Sequence, residues 1–268
     1  MSALALTPAP ALDRLLPISL PQLLSQAELM SRVDRKYLLA STALDVLLSK
    51  LTADCAVLEI DGVRRFGYTS TYWDTPELAA FELAGRGRRR RFKVRTRRYD
   101  ESGESYLEVK TRGARDRTVK TRIPYAATSQ LDSRAIEFVT ETLTAAGVSG
   151  IDPARLRPSL TTTYQRSTLV TADSAGRPAR ATIDTALTWS SAERPASLAA
   201  PQLAIVETKG STQASPVDRA LWRLGHRPLR VSKYGTGLAL LHTELPSLKW
   251  HNVISRNFTT LTTQEISA

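Results

Sequence analysis

The sequence predicts an α+β protein built on antiparallel strands, and three observations predict it. Strict alternation marks the stretch from Gly85 to Lys110, where Arg91, Lys93, Arg95 and Arg97 fall at every second position with Phe92, Val94 and Thr96 between them. A strand sends alternate side chains to opposite faces, so these four cations share one face. Polar turn signals separate such stretches, among them Asp61-Gly62, Asp100-Glu101-Ser102-Gly103 and Asp173-Ser174-Ala175-Gly176. Segments with leucines at helical spacing, such as Leu44, Leu47, Leu48 and Leu51, need an apolar surface to cover.

At 268 residues the chain can bury a large core, and 42% hydrophobic with 24% charged residues places it among globular rather than disordered proteins. A net charge of +11 asks for a polyanionic partner: nucleic acid, an anionic membrane surface or a phosphate-rich small molecule. The single cysteine, Cys55, excludes an internal disulfide and fits a reducing compartment, so a cytoplasmic location is expected. Three histidines and one cysteine make a structural zinc site an unsupported reading. No apolar run approaches the roughly 20 residues that span a bilayer. No basic stretch followed by an apolar one opens the chain as a signal peptide would.

Taken in order, residues 1–25 carry Pro8, Pro10, Pro17 and Pro21 and read as a flexible arm. The main domain is expected over 26–245 and a C-terminal tail of low regularity over 246–268. A strand over residues 31–39 points Asp34 and Lys36 the same way. Ser41 or Thr42 caps the helix that carries Leu44 to Leu51. Cys55 to Ile60 and Val63 to Trp73 flank Asp61-Gly62 as a hairpin, and Thr75-Pro76 opens a helix with Leu78, Phe81 and Leu83. Strands at about 90–99, 104–111 and 117–124 follow as a meander. A helix over 131–146, with Ile136, Val139 and Leu143, stops at Gly147. A long strand from Pro158 to about Val170 returns as Arg180 to Trp189. Residues 190–201, rich in Ser, Ala and Pro, read as a surface loop. Leu203 to Lys209 is a strand, Ser215-Pro216 starts a helix through Leu224, and another helix covers about 232–242.

The charged face returns on strand after strand. Glu108 and Lys110 share one with Tyr106, against Leu107 and Val109. Lys120 and Arg122 share one, against Val119 and Ile123. So do Tyr164 and Arg166, then Arg180, Thr182 and Asp184, then Glu207 and Lys209, with Lys233 close behind. Two arrangements stay open on the residues alone. In one, a sheet packs its apolar face inward and solvates its charges. In the other, strands close into a barrel, aliphatic side chains face outward under the helices, and the cations line the interior. Crowded like charges in a low-dielectric cavity repel, so the second arrangement needs a polyanion. Arginine's fork suits phosphate oxygens, and lysine supplies compact point charges.

An ordered series of short motifs then matches a family. Arg32-x-Asp34-x-Lys36-Tyr37, Ser70-x-Tyr72-Trp73-Asp74-Thr75-Pro76, Lys93-x-Arg95-x-Arg97-x-Tyr99 and Leu107-Glu108-x-Lys110 resemble the VTC (vacuolar transporter chaperone) domain. Tyr164-x-Arg166, Arg180-x-Thr182-Ile183-Asp184, Glu207-x-Lys209 and Ser232-Lys233-Tyr234-x-x-Gly237 continue the resemblance to about residue 240. Each motif alone is weak; their order and spacing are specific. The resemblance implies a triphosphate tunnel metalloenzyme fold: a closed antiparallel barrel of about eight strands forming a charged tunnel, with helices outside. It implies a polyphosphate polymerase that transfers the γ-phosphoryl group of ATP to a growing polyphosphate chain. Lys36, Arg95, Arg97, Lys110, Lys120, Arg166, Arg180 and Lys233 then bind phosphates, with Arg95, Arg97, Arg166, Arg180 and Lys233 as the catalytic set. Lys93, Arg122 and Lys209 join the phosphate-binding residues.

Mn²⁺ or Mg²⁺ is implied as cofactor, held by Glu207, with Glu108 and Asp184 as additional ligands. Broader tunnel enzymes open with Glu-x-Glu-x-Lys, whereas this chain has Arg32-Val33-Asp34-Arg35-Lys36. That departure disfavours a triphosphatase or cyclase with a carboxylate-lined metal site. A tunnel-type triphosphatase and a non-catalytic polyphosphate-binding module remain the alternatives. The expected partners are ATP and polyphosphate, not nucleic acid, and a peripheral membrane partner stays open. A surface reader of nucleic acid needs accessible charge and usually more aromatics than 6%. His226, His242 and His251 read as structural or surface residues, and Tyr37, Tyr99 and Tyr164 as packing residues. No Gly-x-x-x-x-Gly-Lys-[Ser/Thr] loop or dinucleotide fingerprint occurs.

Overall fold

The computed structural model describes residues 11–27, 33–51, 55–113, 117–126, 129–193, 195–258 and 264–265. Residues 1–10 of the expected arm, and Arg32 of the first motif, lie outside them. Strands and helices follow in chain order as β1 (Leu16–Ile18), α1 (Leu20–Ala27), β2 (Val33–Ala40), α2 (Ser41–Lys50), β3 (Ala56–Leu58), β4 (Phe66–Asp74) and α3 (Ala79–Gly85). The meander is β5 (Lys93–Tyr99), β6 (Ser105–Arg112) and β7 (Thr118–Pro124), followed by α4 (Ser133–Ala145). Then come β8 (Arg157–Ala172), β9 (Pro178–Ser191), β10 (Ala196–Ala200), β11 (Leu203–Gly210), α5 (Pro216–Arg223), α6 (Lys233–Leu241), α7 (His251–Asn257) and β12 (Gln264–Glu265).

The strands form one large, mainly antiparallel sheet in the order β12-β10-β9-β8-β4-β5-β6-β7, with β11 pairing β9 and β2, and β3 pairing β8 and β1. No strand pairing among the described residues closes this sheet, so a barrel sealed by hydrogen bonds is not what they form. The chain divides into two compact units. The first holds residues 1–66, 164–187 and 200–229, the second residues 67–163, 188–199 and 230–268.

In the first unit, β11 runs antiparallel to both β2 and β9. Alternation puts Tyr37 and Leu39 of β2, Ala181 and Ile183 of β9, and Ala204 and Val206 of β11 into one buried cluster. Leu44, Leu47 and Leu48 of α2 and Val217 and Leu221 of α5 complete it. The helices therefore cover the aliphatic face of this sheet, and the charged alternates point the other way. A smaller cluster of Ile18, Leu23, Leu58 and Val170 fastens β1 and α1. Residues 12–27 thus carry packed elements where the proline-rich sequence shows no periodicity.

In the second unit, β4, β5, β6 and β7 pair antiparallel in sequence order. Val94, Leu107 and Val109 are buried, and α4 packs on β6. Phe81 of α3 lies 5.3 Å from Trp250 and 6.4 Å from Tyr234 of α6, ring centre to ring centre. Tyr234 also stacks on Tyr72 of β4 at 4.9 Å.

Several expected boundaries move. Asp61 and Gly62 do form a left-handed turn, with φ of 50° and 76°, but it closes only the bridge between Ile60 and Val63. The strand before it pairs with β1 and β8 instead of folding back on β4. Thr75-Pro76 is a turn, and α3 begins at Ala79 because the Asp74 carboxylate accepts the N–H groups of Ala80 and Phe81. Ser41 is the first helical residue of α2 rather than its cap, and its hydroxyl donates to the Pro201 carbonyl. The expected surface loop contains β10, and the expected tail contains α7 with Trp250, Val253 and Phe258 buried.

Candidate functional site

In the second unit, register decides which charges meet. Arg95 of β5 sits opposite Glu108 of β6, which sits opposite Arg122 of β7. Lys93, Lys110 and Lys120 form the neighbouring cross-strand row. Arg95 Nε donates to Glu108 Oε2 at 2.8 Å and its Nη2 donates to the same oxygen, while Lys120 Nζ donates to Oε1 at 3.2 Å. Arg97 Nε donates to Ser70 Oγ at 3.2 Å, and Lys93 Nζ to Ser232 Oγ at 2.8 Å. Tyrosines lie under three guanidinium groups: Tyr72 under Arg95, Tyr68 under Arg97 at 5.3 Å and Tyr106 under Arg122 at 4.4 Å.

Arg95 is 8% exposed, Arg97 7% and Glu108 1%, so the centre of this charged face is not an ordinary solvated surface. Burial opposes ionisation of Glu108, but the charges of Arg95, Arg97 and Lys120 prevail and hold its carboxyl well below the usual range. Lys120 is pulled down by burial and by Arg122 and Arg95, with Glu108 opposing. The row of three lysines is the costly feature. Like charges directly opposite across a ladder destabilise it.

The first unit builds a second cluster by the same rule. Lys36 of β2, Glu207 of β11 and Thr182 of β9 lie opposite one another, as do Asp34, Lys209 and Arg180. Arg166 of β8 grips Asp184 of β9 bidentately, Nε to Oδ1 at 2.6 Å and Nη2 to Oδ2 at 2.8 Å. Lys209 Nζ lies 3.4 Å from Glu207 Oε1. Burial pushes the Lys209 ammonium down to about 8; Glu207 and Asp34 resist the fall, while Arg166 and Arg180 deepen it. Asp184 is fully buried.

Lys233 opens α6 in the second unit, where Ser232 caps the helix by accepting the Gly235 N–H. The Lys233 carbonyl accepts Trp189 Nε1 at 2.9 Å. Two buried aspartates that sequence reasoning did not assign hold these elements in place. Asp74 accepts the Tyr234 hydroxyl as well as the N–H groups of Thr75, Ala80 and Phe81. Burial nonetheless leaves its carboxyl above the usual range. Asp218 in the first unit accepts Tyr37 OH at 2.7 Å, Thr208 Oγ1 at 2.6 Å and Ser215 Oγ at 2.9 Å. It ties α5 to β2 and β11 behind Lys36 and Glu207. The signals for both were present, as Asp74 before Thr75-Pro76 and as Asp218 three residues after Ser215, the spacing of a capping box.

The carboxylates do not assemble into a metal cage. Among the described residues no three of His, Cys, Asp and Glu come together as one, and each expected ligand contacts a cation: Glu108 with Arg95 and Lys120, Asp184 with Arg166, Glu207 with Lys209. That donor set does not fit a divalent ion held by protein carboxylates alone. Each cluster is instead a basic face with a buried acid at its middle, suited to oxyanions of high charge density.

Solved structures to which the chain is similar include an adenylate cyclase candidate of Vibrio parahaemolyticus, 14% identical, covering 80% of this chain and 87% of that one with a TM-score of 0.37. An adenylyl cyclase candidate of Hippeastrum, described with a dominant triphosphatase activity, is 14% identical and covers 81% of this chain and 99% of its own at a TM-score of 0.42. A conserved protein of Pyrococcus furiosus is 11% identical over 73% of this chain and 88% of its own, with a TM-score of 0.35. No curated protein sequence matches the chain. The VTC domain model matches residues 31–242, which include every strand of both charged clusters and the Lys233 turn, and the chain belongs to the VTC domain family.

Proposed function

We propose that the protein is a polyphosphate polymerase, transferring the γ-phosphoryl group of ATP to the end of an inorganic polyphosphate chain. The observation that carries this reading is the cross-strand row Lys93, Lys110 and Lys120 beside buried Arg95 and Arg97. A strand face of that composition concentrates positive charge and favours a ligand that spreads several negative charges along it. Polyphosphate does so at each successive unit.

In the reaction, a terminal phosphate oxygen of the chain attacks Pγ, the bond from Pγ to the bridging oxygen of the β-phosphate breaks, and ADP leaves. The attacking oxygen is already anionic, so no strong general base is required. Positioning and charge stabilisation supply the catalysis. In the second unit Arg95, Arg97 and Lys233 take phosphate oxygens whose charge grows during transfer, and Lys93, Lys110, Lys120 and Arg122 hold neighbouring phosphates. The first unit carries its own phosphate-binding set, Arg166 and Arg180 with Lys36 and Lys209. A divalent ion enters with ATP as part of the substrate.

The deciding assay supplies ATP with Mn²⁺ or Mg²⁺ to the purified protein and separates the products. Phosphate polymer with one ADP per added unit is the expected outcome. Free phosphate without polymer overturns the polymerase and makes the protein a triphosphatase. Polyphosphate binding with neither product leaves a binding module.

A further inference from the structure

Between α3 and β5 the chain places five arginines in six residues, Arg86 and Arg88 to Arg91, with Gly87 between them. Residues 86–90 are all exposed. The segment is a built turn rather than a loose tail. The Gly87 and Arg88 N–H groups donate to the carbonyls of Ala84 and Leu83, and the Arg91 N–H donates to the Arg88 carbonyl. Gly87 adopts φ +67°, the left-handed conformation glycine tolerates. Arg86 pairs with Glu82, and Arg91 Nη1 is drawn back to the Arg88 carbonyl at 2.7 Å. Arg88, Arg89 and Arg90 have no acidic partner among the described residues, and Arg90 lies beside Gly147.

We propose that this arginine turn is a docking site for the extended part of a polyphosphate chain, outside the buried clusters. The inference rests on the polymerase reading and adds a chain-length preference to it. Continuity favours this occupant. Arg90 is three residues before Lys93, so at most about 11 Å of backbone separates the turn from the lysine row. A chain lying along Lys93, Lys110 and Lys120 reaches the turn within a few phosphate units. Tripolyphosphate is short enough to sit on the row alone. A nucleic acid would look for aromatic stacking, and residues 86–91 offer none.

The test compares wild type with the triple variant Arg88→Gln/Arg89→Gln/Arg90→Gln, whose sites are exposed and contribute nothing to the core. Binding of tripolyphosphate, of polyphosphate about one hundred units long and of a single-stranded RNA is measured across a salt series. The variant should lose about ten-fold in affinity for the long chain, the sum of three exposed ion contacts, and keep its affinity for tripolyphosphate. The salt dependence of long-chain binding should become shallower by about two in log–log slope. Equal loss for both phosphate ligands, or no loss for either, overturns the proposal. So does RNA that binds more tightly than polyphosphate and is the ligand the variant loses. A polymer-synthesis assay on the same two proteins separates the two readings. Synthesis with unchanged long-chain binding in the variant sinks the docking site alone. Loss of long-chain preference in a protein that makes no polymer sinks the polymerase alone.

Discussion

Arg95 shows how far a single residue can be interpreted. Removing it deprives Glu108, at 1% exposure, of the guanidinium that donates twice to its Oε2 and leaves Lys120 as the donor to Oε1; breaking a buried pair costs about 3–5 kcal/mol. Arg95→Ala alone should therefore melt at a markedly lower temperature, which would confuse any loss of synthesis with loss of fold. The double variant Arg95→Ala/Glu108→Gln removes the stranded charge and should recover much of that stability by denaturant titration while polymer synthesis stays abolished. Cys55 gives a cleaner titration. Burial pushes its thiol up to about 12. A folded pKa raised above the unfolded value means that this contribution to stability is complete below the unfolded pKa, about 8.5, and is lost as pH rises through the folded one. Cys55 should resist thiol reagents at pH 8 until denaturant is added, and Cys55→Ala should flatten the alkaline decline in stability between those two values. The alternation of Lys93 to Arg97 was legible because period two needs no partner to be seen, whereas Arg91, expected on the same face, belongs to the turn before β5. Asp74 and Asp218 were legible only as local cap signals; their wider role was not, because the Tyr234, Tyr37 and Thr208 hydroxyls they accept lie on other elements.

At the scale of an element, α6 shows what spacing cannot say. A helix over about 232–242 is readable in the chain, and it forms over Lys233–Leu241. Its glycines are explained only by other elements. A Cβ at Gly235 would lie 2.1 Å from the Trp250 ring, and one at Gly237 2.0 Å from Trp189 Cδ1. Gly237→Ala should cost about 1–3 kcal/mol by overpacking and should shift the start of the helix that carries Lys233. Tyr234→Phe keeps the stacking on Tyr72 and removes only the hydroxyl that Asp74 accepts. It should cost about 1–3 kcal/mol, since the buried carboxylate loses a donor, and lower polymer synthesis more than ATP binding. The same limit explains β10, whose Ala-Ser-Leu-Ala-Ala sequence has no β-branched residue and becomes a strand through the pairing it finds. It explains the short bridge at Asp61-Gly62 as well. The turn chemistry was correct, but the preceding strand found better neighbours in β1 and β8.

For the whole molecule, the charge of +11 sets the expected response to ligand. Tripolyphosphate at about 100 times its Kd should add roughly 2.7 kcal/mol to stability, read as a rise in melting temperature. The rise should shrink as salt screens the exposed cations and persist where Arg95 and Arg97 are buried. No shift at low salt would remove the case for anion sites in either unit. The backbone passes from one unit to the other five times, at residues 66–67, 163–164, 187–188, 199–200 and 229–230, and four of those passages fall inside the strands β4, β8, β9 and β10. Neither unit can therefore be lifted out as a cassette, because any excision severs strands that both require. Substitutions and loop insertions leave the shared strands whole, whereas exchanging either unit for a foreign one would cut them.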